Sequence, residues 1–358
     1  MLNERLNKVL KIMAKEKIPQ MIVSDPAAIF YLTGKWILSG ERMLVLYINL
    51  DGQNKLFINE LFPIDEDLGV EKIWFNDTQS PVEILAKNID KEAPMGIDKN
   101  WPAHFLIKLM KLKGGSTFVN GSEILDRVRM CKDENEKDLM RVASKLNDTA
   151  VDKMIKLIPK KYSEKKMGKL LSDIWDDMGT QGHSFDPIIG YGANAADPHH
   201  EMDESTVKEG DSIVIDIGCK MNSYCSDMTR TVFYKTVSDH SREVYNIVKE
   251  ANKRGIEKVK AGVRFCDIDA AAREYITEKG YGKYFTHRLG HSIGIEVHDF
   301  GDVSAANTDK VQVGQIFSIE PGIYLPGDVG VRIEDLVIVT KDGCEVLNHY
   351  TKDLIIVE

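Results

Sequence analysis

Apolar residues at Leu2, Leu6, Val9, Leu10 and Met13 recur every three or four positions, so the chain opens on an amphipathic helix. "QMIVSD" then reads as a short strand, and "RMLVLYINL" with "NKLFINE" as a hairpin around Asp51-Gly52, a favoured turn pair. "VEKIWF", "APMGID" and "STFVN" are further strands, separated by helical stretches near Pro81 to Lys87 and Pro102 to Leu112. Strands and helices alternating in this way predict a mixed or parallel sheet with helices on it.

Between Asn120 and Lys132 the pattern changes. "DENEKDLMRVASKLNDTAVDKMIKLI" is a long amphipathic helix with acids gathered at its start, where the helix dipole favours them. "SEKKMGKLLSDIWDDMG" is a second helix, with Ser163 as its N-cap. Strands follow in "SFDPIIGYG", "SIVIDIGCKMNSYCSDMTRT" and "TRTVFYK". The same order then starts again. "SREVYNIVKEANKRGIEKVK" and "RFCDIDAAAREYITEKG" are helices, and "HRLGHSIGIEVHDF", "QIFSIEPGIYL" and "VGVRIEDLVIVT" read as strands and turns. Two helices followed by an acid-bearing hairpin thus occur twice, a pattern-level repeat that points to a pseudo-symmetric αβ domain. At 358 residues the chain exceeds the usual single-domain size. The expected division is an α/β domain over residues 1–125 and a second domain over 126–358.

Acids inside those hairpins need a reason, because strands disfavour Asp and buried charge is costly. A two-residue turn at Met221-Asn222 sets Asp216 directly opposite Asp227. A three-residue connection at Pro326-Gly327-Asp328 sets Glu320 opposite Glu334. Like charges facing each other at about 4 Å and an effective dielectric of about 20 repel by roughly 4 kcal/mol, and a divalent cation turns that penalty into coordination. Oxygen donors alone suit Mn, Mg or Ca, whereas an added imidazole tilts the choice toward Mn, Co, Fe or Zn. "HRLGHSIGIEVHD" supplies His287, His291 and His298, and "DPHH" adds His199 and His200 just upstream of the first hairpin.

Composition narrows the function further. Lys plus Arg number 47 against 56 Asp plus Glu, a net charge of −9, so nucleic acid is not an expected partner. The five cysteines are scattered without a C-x-x-C pair, which fits reduced thiols rather than a disulfide framework or a zinc–thiolate site. Charges interrupt every apolar run of "MLNERLNKVLKIMAKEKIPQ", and no segment reaches bilayer length, so a cytoplasmic protein without a membrane partner is expected.

Taken together and in order, "VIDIGCKMNSYCSDMTRT", "HRLGHSIGIEVHD", "FSIEPGIY" and "GVRIED" resemble the Xaa-Pro dipeptidase (prolidase) and aminopeptidase P family of metallopeptidases. The resemblance implies an α/β (α+β) chain with a creatinase-like N-terminal domain for substrate gating and dimerisation. It also implies a C-terminal "pita-bread" domain of two pseudo-symmetric halves closing over a dinuclear metal centre. It makes Asp216 a ligand of one metal, His291 and Glu320 ligands of the other, and Asp227 and Glu334 bridges between them. Manganese is favoured, with cobalt, zinc or iron as alternatives. Glu320 would carry the proton, and His199 and His298 would act beside it on the reacting carbonyl. His199, His287, His298 and Arg332 would contact substrate, with Arg332 better suited to orienting the acids. Asp299 could fix the His298 tautomer, although neighbouring strand residues point to opposite faces.

The implied substrate is a small peptide with proline second, cut by a homodimer. Phe185, Ile189 and Tyr191 are candidate walls for the proline ring. Some prolidases place an arginine shortly after the last histidine to bind the dipeptide carboxylate, whereas "HDFGDVSAANTD" offers none. Another basic group does that job, or longer peptides are accepted. The competing expectations are an aminopeptidase P and a catalytically silent peptide-binding protein.

Overall fold

The opening apolar stripe folds as α1 (Asn3–Glu16), burying Leu6, Val9 and Met13. In the computed structural model, which describes residues 1–358, the chain forms two units, Met1–Arg129 and Met130–Glu358. The first unit continues through β1 (Gln20–Val23), α2 (Pro26–Thr33), β2 (Val45–Asn49), β3 (Lys55–Asn59), β4 (Glu71–Phe75), α3 (Pro81–Ala86), β5 (Met95–Ile97), α4 (Ala103–Lys111), β6 (Phe118–Asn120) and α5 (Ser122–Met130). Periodicity gave no sign of α2, because its short apolar run has no polar face. Its start is defined by the Asp25 carboxylate accepting from Ala27 N and Ala28 N, with Pro26 at the first helical position. The sheet order is β4-β3-β2-β1-β5-β6, with β2 antiparallel to both neighbours and the other pairs parallel. Of the mixed and parallel sheets that the sequence pattern allows, the mixed one forms.

The second unit starts with α6 (Glu134–Leu157), whose N-terminus is closed by a reciprocal capping box between Asp133 and Glu136. Then comes α7 (Glu164–Asp177), capped by Ser163. Strands β7 (Ile188–Tyr191) and β8 (Ser212–Ile217) lead into β9 (Lys220–Met221), β10 (Tyr224–Cys225) and β11 (Met228–Tyr234). The second half repeats the order with α8 (Asp239–Lys258) and α9 (Phe265–Glu278). It continues with β12 (Gly290–His291), β13 (Asp302–Val303), β14 (Ile316–Ile319), β15 (Gly322–Tyr324), β16 (Gly330–Arg332), β17 (Asp335–Val339), β18 (Cys344–Val346) and β19 (Ile356–Val357). Each half keeps its own apolar core, one around Met154, Leu171 and Trp175 and the other around Val248, Phe265 and Phe317.

A pair of buried asparagines makes the internal symmetry physical. From α6, Asn147 Nδ2 donates to the Ile217 carbonyl at 2.8 Å; from α8, Asn252 Nδ2 donates to the Ile319 carbonyl at 2.9 Å. Each asparagine therefore ties the first helix of its half to the residue next to a strand acid, Asp216 in one case and Glu320 in the other.

The two hairpins treat the expected registers differently. In the second, Ile319 pairs with Asp335 and Gly322 with Arg332, so one register runs through both ladders and sets Glu320 opposite Glu334 as expected. In the first, the turn is Asn222-Ser223 rather than Met221-Asn222, with φ of 49° and 70°. Asp216 consequently faces Thr229, not Asp227. The reason is local: a turn needing two positive φ values would have put Met221 in the left-handed region, which Asn and Ser enter more easily. Every partner shifts by two residues, and because strand side chains alternate with period two, both aspartates stay on one face.

Candidate active site

Both hairpins turn their acidic faces into one cleft of about 560 Å³, lined among others by Asp216, Asp227, His291, Glu320 and Glu334. Asp227, His291 and Glu334 each offer a ligand atom within 4.8 Å of the others. His291 Nε2 lies 3.5 Å from Asp227 Oδ2 and 3.5 Å from Glu320 Oε1. Glycine makes this approach possible, since a Cβ on Gly290 would sit 1.9 Å from the Ser318 carbonyl oxygen. The bare backbone lets β12 lie flush against β14 and delivers His291 to the acids.

These groups are held in an environment that does not suit bare anions. Burial first, then the neighbouring Asp216 charge, raises the Asp227 carboxyl well above the usual carboxylate range. Glu334 is raised in the same way by burial and then by Asp227. Burial pushes Glu320 up to about 7, with His291 opposing and Asp227 reinforcing the shift. Asp216 Oδ1, Asp227 Oδ1 and Glu334 Oε1 are buried without any hydrogen-bond partner. Carboxylate oxygens so deprived are costly unless something positive meets them. Four carboxylates and one imidazole around a common centre are a fitting donor set for divalent cations.

Neighbouring hydroxyls and a guanidinium fix the orientation of the acids. The Thr229 hydroxyl donates to Glu334 Oε2 at 2.8 Å and accepts from Arg332 Nε at 3.1 Å. Arg332 Nη2 donates to Asp216 Oδ2 at 2.7 Å, and its Nη1 to the Tyr324 hydroxyl at 2.9 Å. The Ser318 hydroxyl donates to Glu320 Oε1 at 3.0 Å while accepting from His291 N at 2.9 Å. The sequence reading passed over Thr229, Ser318 and Tyr324, yet alternation could have found them. Thr229 lies two residues after Asp227, Ser318 two before Glu320 and Tyr324 four after it, all on the acidic face.

The other histidines occupy distinct situations. His298 lines the cleft with its ring edge-on to His291 at 4.3 Å, and burial, then the His291 charge, lowers it to about 4. It is therefore a neutral imidazole at neutral pH. His287 also lines the cleft, but its Nδ1 donates to the Arg288 carbonyl at 2.7 Å, leaving Nε2 to accept the Tyr324 hydroxyl at 2.8 Å. Both ring nitrogens are thus engaged within the protein. His199 is an exposed residue of the lining, and its neighbour His200 turns away to Glu164 at 2.7 Å.

Two expectations for the surroundings change. Phe185 does line the cleft, with Ile188, Pro198 and Val297, whereas Ile189 and Tyr191 are buried in the core on the α6–α7 side. Alternation along β7 sends Ile188 to the cleft and its odd-numbered neighbours the other way. Asp299, offered above as the group that fixes the His298 tautomer, pairs with Lys132 at 3.2 Å, with both side chains buried.

A dense carboxylate–imidazole cluster in the cleft of a pseudo-symmetric αβ unit defines a metal-dependent hydrolase. The chain belongs to metallopeptidase family M24, whose model matches residues 138–341, preceded by a creatinase/prolidase N-terminal domain over residues 5–131. A Bacillus subtilis protein carrying the provisional name dipeptidase YkvY is 37% identical over 92% of this chain and 93% of its own length. The prolidase of Pyrococcus horikoshii has the same fold, with a TM-score of 0.90 and 29% identity over 98% of this chain and 100% of that one. The X-Pro aminopeptidase of Thermotoga maritima superposes with a TM-score of 0.84 and 29% identity, covering 95% of this chain and 98% of that one. Family membership makes the chain a peptidase that depends on divalent metal ions. The expected two-part architecture, with a creatinase-type domain ahead of a pita-bread domain, is the one found. No helix is long and apolar enough to cross a membrane.

Proposed function

We propose that the protein hydrolyses Xaa-Pro dipeptides with two divalent cations, manganese foremost, held by Asp216, Asp227, His291, Glu320 and Glu334. The observation that carries this reading is the three buried carboxylate oxygens without partners, turned into one cleft with His291 beside them. Cations bound there would supply Lewis acidity, polarising the scissile carbonyl and acidifying a water. Glu320, its Oε1 held by the Ser318 hydroxyl beside His291, is placed to take a proton from the attacking water and pass it to the departing proline nitrogen. His298, neutral and exposed to the cleft at the edge of His291, can donate an N–H to the carbonyl oxygen as charge develops on it, with His199 at the open side of the cleft. The role of His287 is indirect in this scheme, through Tyr324 and Arg332.

An Xaa-Pro bond has no N–H and a fixed φ, so it escapes enzymes that bind substrate as an added strand. The apolar wall formed by Phe185, Ile188 and Val297 suits the proline ring. A second reading, removal of the first residue from longer Xaa-Pro peptides, draws support from an open groove of about 580 Å³. That groove shares Asp186, Ile188 and His199 with the cleft. Assays with Mn²⁺ on Ala-Pro, Ala-Pro-Ala and Ala-Ala separate the two. Cleavage of Ala-Pro alone is the expected result, cleavage of the tripeptide selects the second reading, and turnover of Ala-Ala would remove proline specificity.

His298→Ala should lower kcat by about 100-fold, in the range of a lost oxyanion or acid–base group, while leaving bound metal within a few per cent of the parent. Metal analysis checks it, and a variant that loses its metal would make His298 a ligand. A cytoplasmic homodimer, assembled and gated through the N-terminal unit, completes the proposal. Sedimentation of the purified protein tests the dimer.

A further inference from the structure

We propose that His200, locked onto the Glu164 carboxylate, is a positioning residue for His199, fixing the short loop that holds the His199 ring at the cleft. The need for such a lock follows from His199 itself. It lines the cleft from an exposed loop, and its imidazole makes no hydrogen bond within the chain. A ring without a partner is placed only as well as its backbone is, and a misplacement of about 1 Å can cost about 100-fold in rate.

The loop is fastened at one point. Glu164 opens α7 with its side chain wholly buried. Its Oε1 accepts Tyr191 N at 2.9 Å and Asn194 Nδ2 at 3.0 Å. Its Oε2 accepts Asp203 N at 3.0 Å and His200 Nε2 at 2.7 Å. Residues on both sides of His199, from the end of β7 to Asp203, are thus gathered on a single carboxylate. Main-chain bonds from Glu164 N to the Ser205 carbonyl and from Lys165 N to the Asp203 carbonyl, both at 3.1 Å, hold the far end. Between these points His199 N donates to Asp197 Oδ1 at 3.0 Å, and His200 N to the Asp197 carbonyl at 3.3 Å. Of two adjacent imidazoles, one is drawn into the protein and the other is left facing the cleft. His200 does not line the cleft; it borders the adjoining groove, with its side chain 12% exposed.

Glu164, His200 and Asp203 also lie close enough to share a cation. Their hydrogen bonds argue for a lock instead. A carboxylate has about four acceptor positions, and N–H donors fill all of them on Glu164. His200 Nε2 carries the hydrogen that it donates, so it has no lone pair for a metal. Asp203 Oδ1 accepts Ser205 N at 2.7 Å. This cluster is satisfied by the protein, whereas the acids of the cleft leave three oxygens bare.

The inference rests on the Xaa-Pro reading through the substrate contact given to His199, and its test keeps the two apart. With saturating Mn²⁺, kcat/KM for Ala-Pro is measured in the parent, His200→Ala, His199→Ala and the double variant. His200→Ala should lose about 10-fold and His199→Ala about 100-fold. In the His199→Ala background, His200→Ala should cost less than about 2-fold, because no ring remains to be placed. His200→Gln, whose side-chain amide can donate to Glu164 in place of Nε2, should recover most of the loss. Bound metal should stay at the parent level in His200→Ala. Hydrogen exchange at the Asp203 amide, read without substrate, should be about 10-fold faster in His200→Ala and slow again in His200→Gln. Unchanged exchange, full activity or lost metal in His200→Ala, or equal losses in both backgrounds, overturns the positioning role and leaves the Xaa-Pro reading standing. If the parent does not cleave Ala-Pro, that reading falls, and the same cycle is run on calorimetric binding of a reduced-bond Ala-Pro analogue. Coupled losses of affinity then keep the positioning role, and additive losses or no binding end it.

Discussion

Asp227→Asn should abolish peptidase activity, by more than about 1,000-fold, and strip most of the bound metal while leaving the fold intact. Changes to groups that merely orient ligands cost about 10- to 100-fold, and a bridging ligand should cost more. Asparagine preserves the shape of Asp227 but removes the charge that two cations would share. The backbone has no reason to move, because the Asp227 carbonyl still accepts from Asn348 Nδ2 at 3.3 Å. In chelator-treated protein the sign reverses. Asp227 is raised by burial and by Asp216, so its contribution to stability is present below its unfolded value near pH 4. That contribution is lost as the pH rises through the higher folded value. Metal-free Asp227→Asn should therefore be at least as stable as the metal-free parent at neutral pH, with a flatter pH dependence. Metal analysis, a Mn²⁺-supplemented Ala-Pro assay and melting curves after chelation check the three parts. Full activity in the variant would end the bridging assignment.

Asp335→Ala should be the most destabilising single change near the cleft, costing about 3–5 kcal/mol. Asp335 is fully buried and takes Arg230 Nη2 at 2.7 Å and Lys352 Nζ at 2.6 Å. Removing it leaves the Arg230 guanidinium buried without its counter-charge. For a unit of this size the loss corresponds to roughly 6–20 °C in melting temperature. The consequence reaches the proposed metal site, because Arg230 Nη1 also donates to the Glu334 carbonyl at 2.6 Å. A loosened Arg230 frees the backbone that carries Glu334, a ligand in the proposed scheme, so metal retention should fall along with stability. Burial opposes ionisation of Asp335, but Arg230 and then Lys352 outweigh it and keep the carboxyl below its usual range. A depressed carboxyl contributes stability above its unfolded pKa and loses it as the pH falls through the folded value. Asp335→Ala should accordingly flatten the acid limb of the stability profile. Urea unfolding between neutral and acidic pH measures both effects. A loss below about 1 kcal/mol would mean that the buried Arg230 guanidinium finds water.

Much of the site was legible in the chain because alternation is local. Asp216, Asp227, Glu320 and Glu334 stood out as acids on strands, and His291 as an imidazole between them. The register of the second hairpin followed from Pro326, Gly327 and Asp328, since that loop has one economical closure around Gly327, at φ 75°. The first hairpin was misplaced because two adjacent turn positions competed, and which residues enter positive φ depends on small backbone energies. Its error was harmless to the site, as a shift of two residues keeps the same face. The short α2 was invisible for a related reason: a helix apolar on nearly every side has no periodicity to detect.

The sequence by itself determined which side chains could share a face, the twofold repeat of helices and acidic hairpins, and the resemblance to a metallopeptidase family. Only the tertiary structure decided which of those side chains meet, and which are already spoken for. Tyr324 occupying His287, Lys132 taking Asp299, and Arg332 bound to Asp216 are choices between partners distant in the chain. The physical reason is range. Dihedral preferences and side-chain alternation act over a few residues, whereas ion pairs and hydrogen bonds between hairpins are settled only when both halves close around the same cleft.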